Sequence, residues 1–171
     1  MGRTYNITAT DITVVTAVNV LVGIYPVATP PAAGSVIAIN RVEITQGENA
    51  TSAAVRGFLS ARTGGNLTVA TVTPTAVMYG GAVSAIAGVA GTLAAGKCGI
   101  TGSVDATPTY VNLITASFNA LNGWLWIPTP SERLYFTGAV AFVVRVGGPA
   151  GAADPGNLNG WNVSVDYEEI Y

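Results

Sequence analysis

Histidine is absent from this chain, which removes the commonest general base and the commonest metal ligand together. Chemistry would have to come from lysine, cysteine, carboxylates or tryptophan. The only lysine, Lys97, stands beside the only cysteine, Cys98, in "AAGKCGITG". A neighbouring ammonium lowers a thiol pKa and makes a nucleophile. Adjacent residues of a strand, however, point to opposite faces, and the plainer reading is a small buried thiol. "GKCGITGS" invites comparison with a phosphate-binding loop, but neither Ser nor Thr follows the lysine and no strand–loop–helix pattern surrounds it. A glycine-rich turn is the expectation.

Asp166 and Glu168 sit two residues apart, roughly 7 Å along a strand. That spacing suits a carboxylate pair or part of a Ca²⁺ ligand set. Their setting, "WNVSVDYEEIY", alternates cleanly, with Trp161, Val163, Val165 and Tyr167 on one face. The opposite, acidic face then reads as a solvated or partner-facing edge, and three acids within four residues, 166–169, discourage accidental strand pairing. Trp124 and Trp126 in "NGWLWIPTPSERLYF" share a face at period two. Such a pair stacks on sugars or bases, or more simply fills a core or a subunit interface. No catalytic residue, cofactor or metal site is expected.

Composition points away from enzymes and towards surfaces. Only 9% of the 171 residues are charged and half are hydrophobic, against about 25% charged in an average soluble domain. Mean hydropathy is +0.47 and the pI is near 4.9. Nucleic-acid affinity comes largely from Lys and Arg neutralising phosphates, and this chain has seven basic residues and a net charge of −2. No nucleic-acid partner is expected. Residues 63–96 carry no charge, yet five glycines interrupt "MYGGAVSAIAGVAGTLAAG". Each is costly in a helix, so a long apolar arm is expected in place of a membrane span.

Period-two alternation and turn-forming clusters recur along the chain, whereas helical spacing is nowhere sustained. Strands are predicted at 4–9, 19–25, 35–45, 52–61, 66–73, 110–118, 124–127, 133–136, 139–146 and 161–169. Ten short strands in one domain spanning residues 1–171 predict an all-β, jelly-roll-like antiparallel β-sandwich. Residues 74–104 read as a neutral loop or arm inserted between strands, with Tyr79, Val83 and Ile86 as candidates to reach a neighbour. The stretch "RVEITQGENATSAAVRGFLSART" carries three of the seven basic residues and reads as a hairpin. Its predicted rim is Arg41, Glu43, Arg56 and Arg62, with Glu43 directly opposite or diagonal to Arg56 across the strands.

Taken in order, "MGRTYNITATDITVV", "INRVEITQGENATSAAVRGFLSARTGG", "LNGWLWIPTPSERLYF", "AFVVRVGG" and "VSVDYEEI" resemble small jelly-roll cement or decoration proteins of tailed bacteriophages. The resemblance spans most of the chain, with residues 74–104 its least matched part. It implies a non-enzymatic virion protein, made in the host cytoplasm and located on the capsid surface. It further implies a homotrimer that binds the major capsid protein and stabilises the expanded head. Two alternatives stand beside it. One is a self-assembling jelly-roll capsid or tail-fibre component. The other is a carbohydrate-binding β-sandwich module that uses Trp124, Trp126 or Trp161.

Overall fold

A computed structural model describes residues 3–12, 18–24, 36–47, 54–63, 77–78, 97–98, 109–137, 140–147 and 160–170. Eleven strands appear among them, and no helix. They are β1 (Arg3–Ile12), β2 (Val18–Ile24), β3 (Val36–Gln46), β4 (Ala54–Thr63), β5 (Val77–Met78) and β6 (Lys97–Cys98). Then follow β7 (Thr109–Asn119), β8 (Trp124–Trp126), β9 (Leu134–Thr137), β10 (Ala141–Gly147) and β11 (Trp161–Ile170). The strand expected at 66–73 lies outside the described residues.

The strands form two antiparallel sheets packed face to face. The first runs β5-β1-β11-β3-β8, with β9 also on β3, and the second runs β6-β2-β10-β4-β7. Strand β8 pairs with Val42–Ile44 and β9 with Val36–Ile39, so the two lie end to end as one interrupted strand. Apart from the dipeptides β5 and β6, this is the two-sheet order of a jelly roll. Its path switches sheets at nearly every connection. Only β4 and β7 are successive long strands within one sheet, and residues 64–108 lie between them.

That path overturns the predicted hairpin. Strands β3 and β4 belong to different sheets. Glu43 lies opposite Ser164 and Leu125, whereas Arg56 lies opposite Gly147 and Ser117. Alternation was correctly read in both strands, but each buries one face in a shared core, and two strands so placed are satisfied by facing each other across it. The last strand also differs from expectation. β11 sits centrally between β1 and β3, and its acidic face is paired by its neighbours.

Two pieces of the inserted segment are strands of the chain's own sheets. β5 pairs with Tyr5 and Asn6 at the outer edge of β1, and β6 pairs with Val22 and Gly23 at the outer edge of β2. The expected free arm is therefore tied back to the sandwich at these two points. Tyr79, Val83 and Ile86 lie outside the described residues.

Aromatic rings hold the sheets together. Phe136 of β9 meets Phe142 of β10 across the core, with ring centroids 5.2 Å apart. Trp124 of β8 stacks on Phe118 of β7 at 6.1 Å, and Trp161 meets the same Phe118 edge-on at 6.2 Å. Gly57 is the floor of this cluster: a Cβ there would lie 2.4 Å from Cε3 of Trp124 and 3.1 Å from Cε1 of Phe118. The connection from β7 to β8 needs a second glycine. Gly123 has a φ of +68°, and a Cβ on it would stand 2.6 Å from the Ile44 carbonyl oxygen.

Gly57→Ala will therefore force Trp124 out of its seat and cost about 1–3 kcal/mol in urea unfolding. The loss shrinks when Trp124→Leu is present, because the clash has gone. Equal losses in the two backgrounds would contradict this packing. Across the first sheet, a double-mutant cycle of Arg41 and Asp166 will give a coupling of about 0.2–1 kcal/mol. A cycle of Glu43 and Arg56 will give one indistinguishable from zero.

Candidate interaction surface

Three exteriors surround the core, and they differ in chemistry. The outer face of the first sheet is a polar ladder. Asn6 Nδ2 donates to Asp166 Oδ1 at 2.6 Å and to Ser164 Oγ at 2.9 Å, and Thr8 Oγ1 donates to Asn6 Oδ1 at 2.8 Å. Arg41 pairs with Glu43 on its own strand and reaches Asp166 Oδ2 at 3.7 Å. Arg133 Nη1 donates to Glu168 Oε2 at 3.2 Å. The predicted charged rim is thus divided. Arg41 and Glu43 belong to this face, while Arg56 and Arg62 lie on the far side of the molecule.

The outer face of the second sheet is partly closed. Every residue of β10 is buried, so both of its faces are covered. Ser60 and Arg62 of β4 and Ala141 and Val143 of β10 are almost inaccessible on that outer side. Arg62, expected on an exposed rim, is 1% exposed. The expectation failed because alternation places Arg62 opposite the core-facing Ala61 without showing that the other face is covered too.

The third exterior is the side of the sandwich bounded by β7 on one sheet and by β8 and β9 on the other. The Phe118–Trp124 stack fixes these two edges on the same side. Elsewhere the outermost long strands are capped by β5 and β6. Here, among the described residues, the strands end their sheets with no further strand beside them. Six large apolar side chains of β7, β8, β9 and the turns beside them, Val111, Leu113, Leu121, Leu125, Ile127 and Tyr135, are between 42% and 64% exposed, with Leu125 on the first sheet's outer face opposite Glu43. No charged residue occurs from 109 to 131. An open strand edge is a template for further pairing, and large apolar groups left exposed beside one add to its fitness for contact.

Trp124 and Trp126 face inwards from this side and pack, half-buried, against the core. Trp161 is fully buried. Neither Trp124, stacked on Phe118, nor the buried Trp161 presents an open ring face of the kind a sugar platform uses. Sequence reading chose the inward tryptophans and missed their outward neighbours. The available signal was "WLWI": a strand with no polar face in either register has something to cover both.

The turn after β8 shapes the rim of this side. Thr129 donates to Glu132 Oε2 from its backbone N–H at 3.1 Å and from its hydroxyl at 2.7 Å. The Glu132 backbone N–H donates to the Thr129 carbonyl at 2.9 Å. The two bonds that Thr129 donates, its hydroxyl's first and its N–H's second, hold the Glu132 carboxyl below its ordinary pKa, against an opposing effect of burial.

Among the described residues, no three His, Cys, Asp or Glu side chains stand together as a metal site would require. No helix there is long and apolar enough to cross a membrane. Comparison with protein-family models, with curated proteins and with solved structures finds no match.

The Thr129–Glu132 turn has a defined pH dependence. A carboxyl whose folded-state pKa is depressed adds stability that is present above its unfolded pKa and lost as pH falls through the folded one. In an NMR titration, Thr129→Val will move the Glu132 midpoint upwards. An unchanged midpoint would contradict the hydroxyl's role.

Proposed function

We propose that this chain is a structural virion protein of the cement or decoration type. It binds the outer surface of an icosahedral phage head as a homotrimer and stabilises contacts between major capsid proteins. The observation that carries this reading is the open side formed by β7, β8 and β9, uncharged from residue 109 to 131. A jelly roll that caps its other edges with its own chain, yet leaves this one apolar, is built to be covered. Jelly-roll domains recur in viral capsids and in lectins, and the inward tryptophans here favour the former.

The physics of such a role needs no reacting group. A protein that binds the assembled shell and not its separated subunits stabilises the shell by linkage, about 2.7 kcal/mol per site at a hundredfold excess over Kd. A side with so few charges has little desolvation cost to overcome on burial. Large apolar interfaces are typical of permanent assemblies, and cyclic symmetry closes them without leaving an open end. The polar ladder of the first sheet, its charges already paired, is the face suited to remain in water.

The jelly-roll order also supports a self-assembling capsid or tail component. Negative-stain microscopy separates the two readings, because closed particles or fibres from the purified protein alone belong to the second. For the first, light scattering at micromolar concentration will give three protomers. Leu125→Asp will dissociate them by placing a charge in the contact, weakening assembly at least tenfold, or about 1.4 kcal/mol. A wild-type protein that is monomeric under these conditions would overturn the trimeric reading.

A further inference from the structure

Arg145 is a buried cation whose position the virion reading leaves unexplained. It lies on β10 opposite Phe58 of β4, only 9% exposed. Its side chain crosses β4 and ends over β7. Nε and Nη2 donate to Ser60 Oγ at 3.3 and 3.2 Å, and Nη2 also donates to Asn112 Oδ1 at 2.5 Å. The guanidinium carbon sits 4.0 Å from the centre of the Tyr110 ring and 5.3 Å from that of Phe58.

A bulge in β7 creates this arrangement. The pairing of β4 with β7 slips between Leu59 and Ser60, leaving Leu113 as the extra residue between Asn112 and Ile114. Without that slip, Asn112 and Tyr110 would share the core-facing side of Ile114, Ala116 and Phe118. With it they turn to the outer face and meet the guanidinium. Bulges commonly re-aim side chains near functional sites.

The site lacks an anion. Its hydrogen-bond partners are neutral, no carboxylate pairs with Arg145 among the described residues, and Nη1 has no partner there. Burial pushes the Arg145 pKa below its ordinary value, but arginine keeps its charge in proteins. A buried charge is costly unless paired, and the two rings offset only part of that cost. Asn112 is exposed, so the cluster opens to the surface beside the free edge of β7. Arg and Tyr are also the residues that most often dominate binding energy at interfaces.

We propose that Arg145, framed by Tyr110, Phe58 and Asn112, is an anchor for an acidic side chain of a protein that docks along β7. The inference rests on the reading of the β7 side as a docking surface, and supplies the partner's chemistry: an Asp or Glu carboxylate that accepts from Nη1. A carboxylate suits a single offered guanidinium end. Phosphate sites usually gather several donors from more than one cation or from backbone amides.

The test is an NMR titration of the full chain, following the Arg145 Nε–Hε signal at fixed pH and ionic strength. N-acetylglutamate α-amide, whose only carboxylate is the side chain's, will move that signal saturably and at least threefold further than the neutral N-acetylglutaminamide does. Asn112→Asp places a carboxylate within the cluster. It will raise the melting temperature and abolish the response to N-acetylglutamate α-amide. Running the titration on Leu125→Asp protein as well distinguishes a site filled by neighbouring copies from an absent one. Equal responses to the two amino acids, a response to inorganic phosphate alone, or no response in either protein would overturn the proposal. So would a lower melting temperature in Asn112→Asp. Because the titration uses isolated protein, its failure leaves the virion reading to be judged separately by light scattering.

Discussion

The ring of Trp124 occupies the space that a methyl group on Gly57 would need and stacks on Phe118, and that stack joins the two open edges of the sandwich. Trp124 comes from β8 of the first sheet, while Gly57 and Phe118 come from the second. The Phe118–Trp161 and Phe136–Phe142 contacts couple the sheets beside it. With them, the depth of the seat sets how far the β7 edge stands from the β8–β9 edge. The exposed Leu125 and Ile127 follow from it, since a strand with Trp124 and Trp126 turned inwards must turn Leu125 out. The apolar surface is thus a geometric consequence of the inward packing.

Charge is distributed to match. The first sheet's outer face pairs its acids and arginines across neighbouring strands, an arrangement stable in water and worth little to a partner. The open side carries almost no charge, so it approaches another surface without stripping ions of water. Arg145 stands between these regimes. It is brought beside the open edge by a long reach from β10 and is supported by rings and neutral oxygens. The strip uncharged from 109 to 131 thus has two buried cations near its border, Arg145 and Arg62, the latter opposite Tyr110.

Much of the fold was legible because alternation is a local property. Strands such as β11 and β3 were found within a residue or two of their bounds. What the local pattern does not carry is which strand lies beside which. Successive strands with a polar turn between them look the same whether they pair or face each other across a core, and so β3 and β4 were read as a hairpin. Bulges are partly visible. In "VIAINRVEI" the buried Ile37 and Ile39 fall out of phase with Val42 and Ile44, which marks the slip beside Asn40. The contact surface was less legible, since Leu125 and Ile127 resemble core residues until their strand is known to end a sheet. Arg62 and Arg145 were hidden for the converse reason: nothing in β4 or β10 announces that both faces are covered.

The central claim is that the side bounded by β7, β8 and β9 is where this protein meets its partners. Amide hydrogen exchange of peptides covering 109–137 tests it most directly, comparing the associated wild-type protein with dissociated Leu125→Asp protomers. The account predicts that association slows exchange in these peptides, while peptides from the polar first-sheet strands β1 and β11 change little. Unchanged exchange across 109–137, with new protection appearing on β1 or β11 instead, would contradict it.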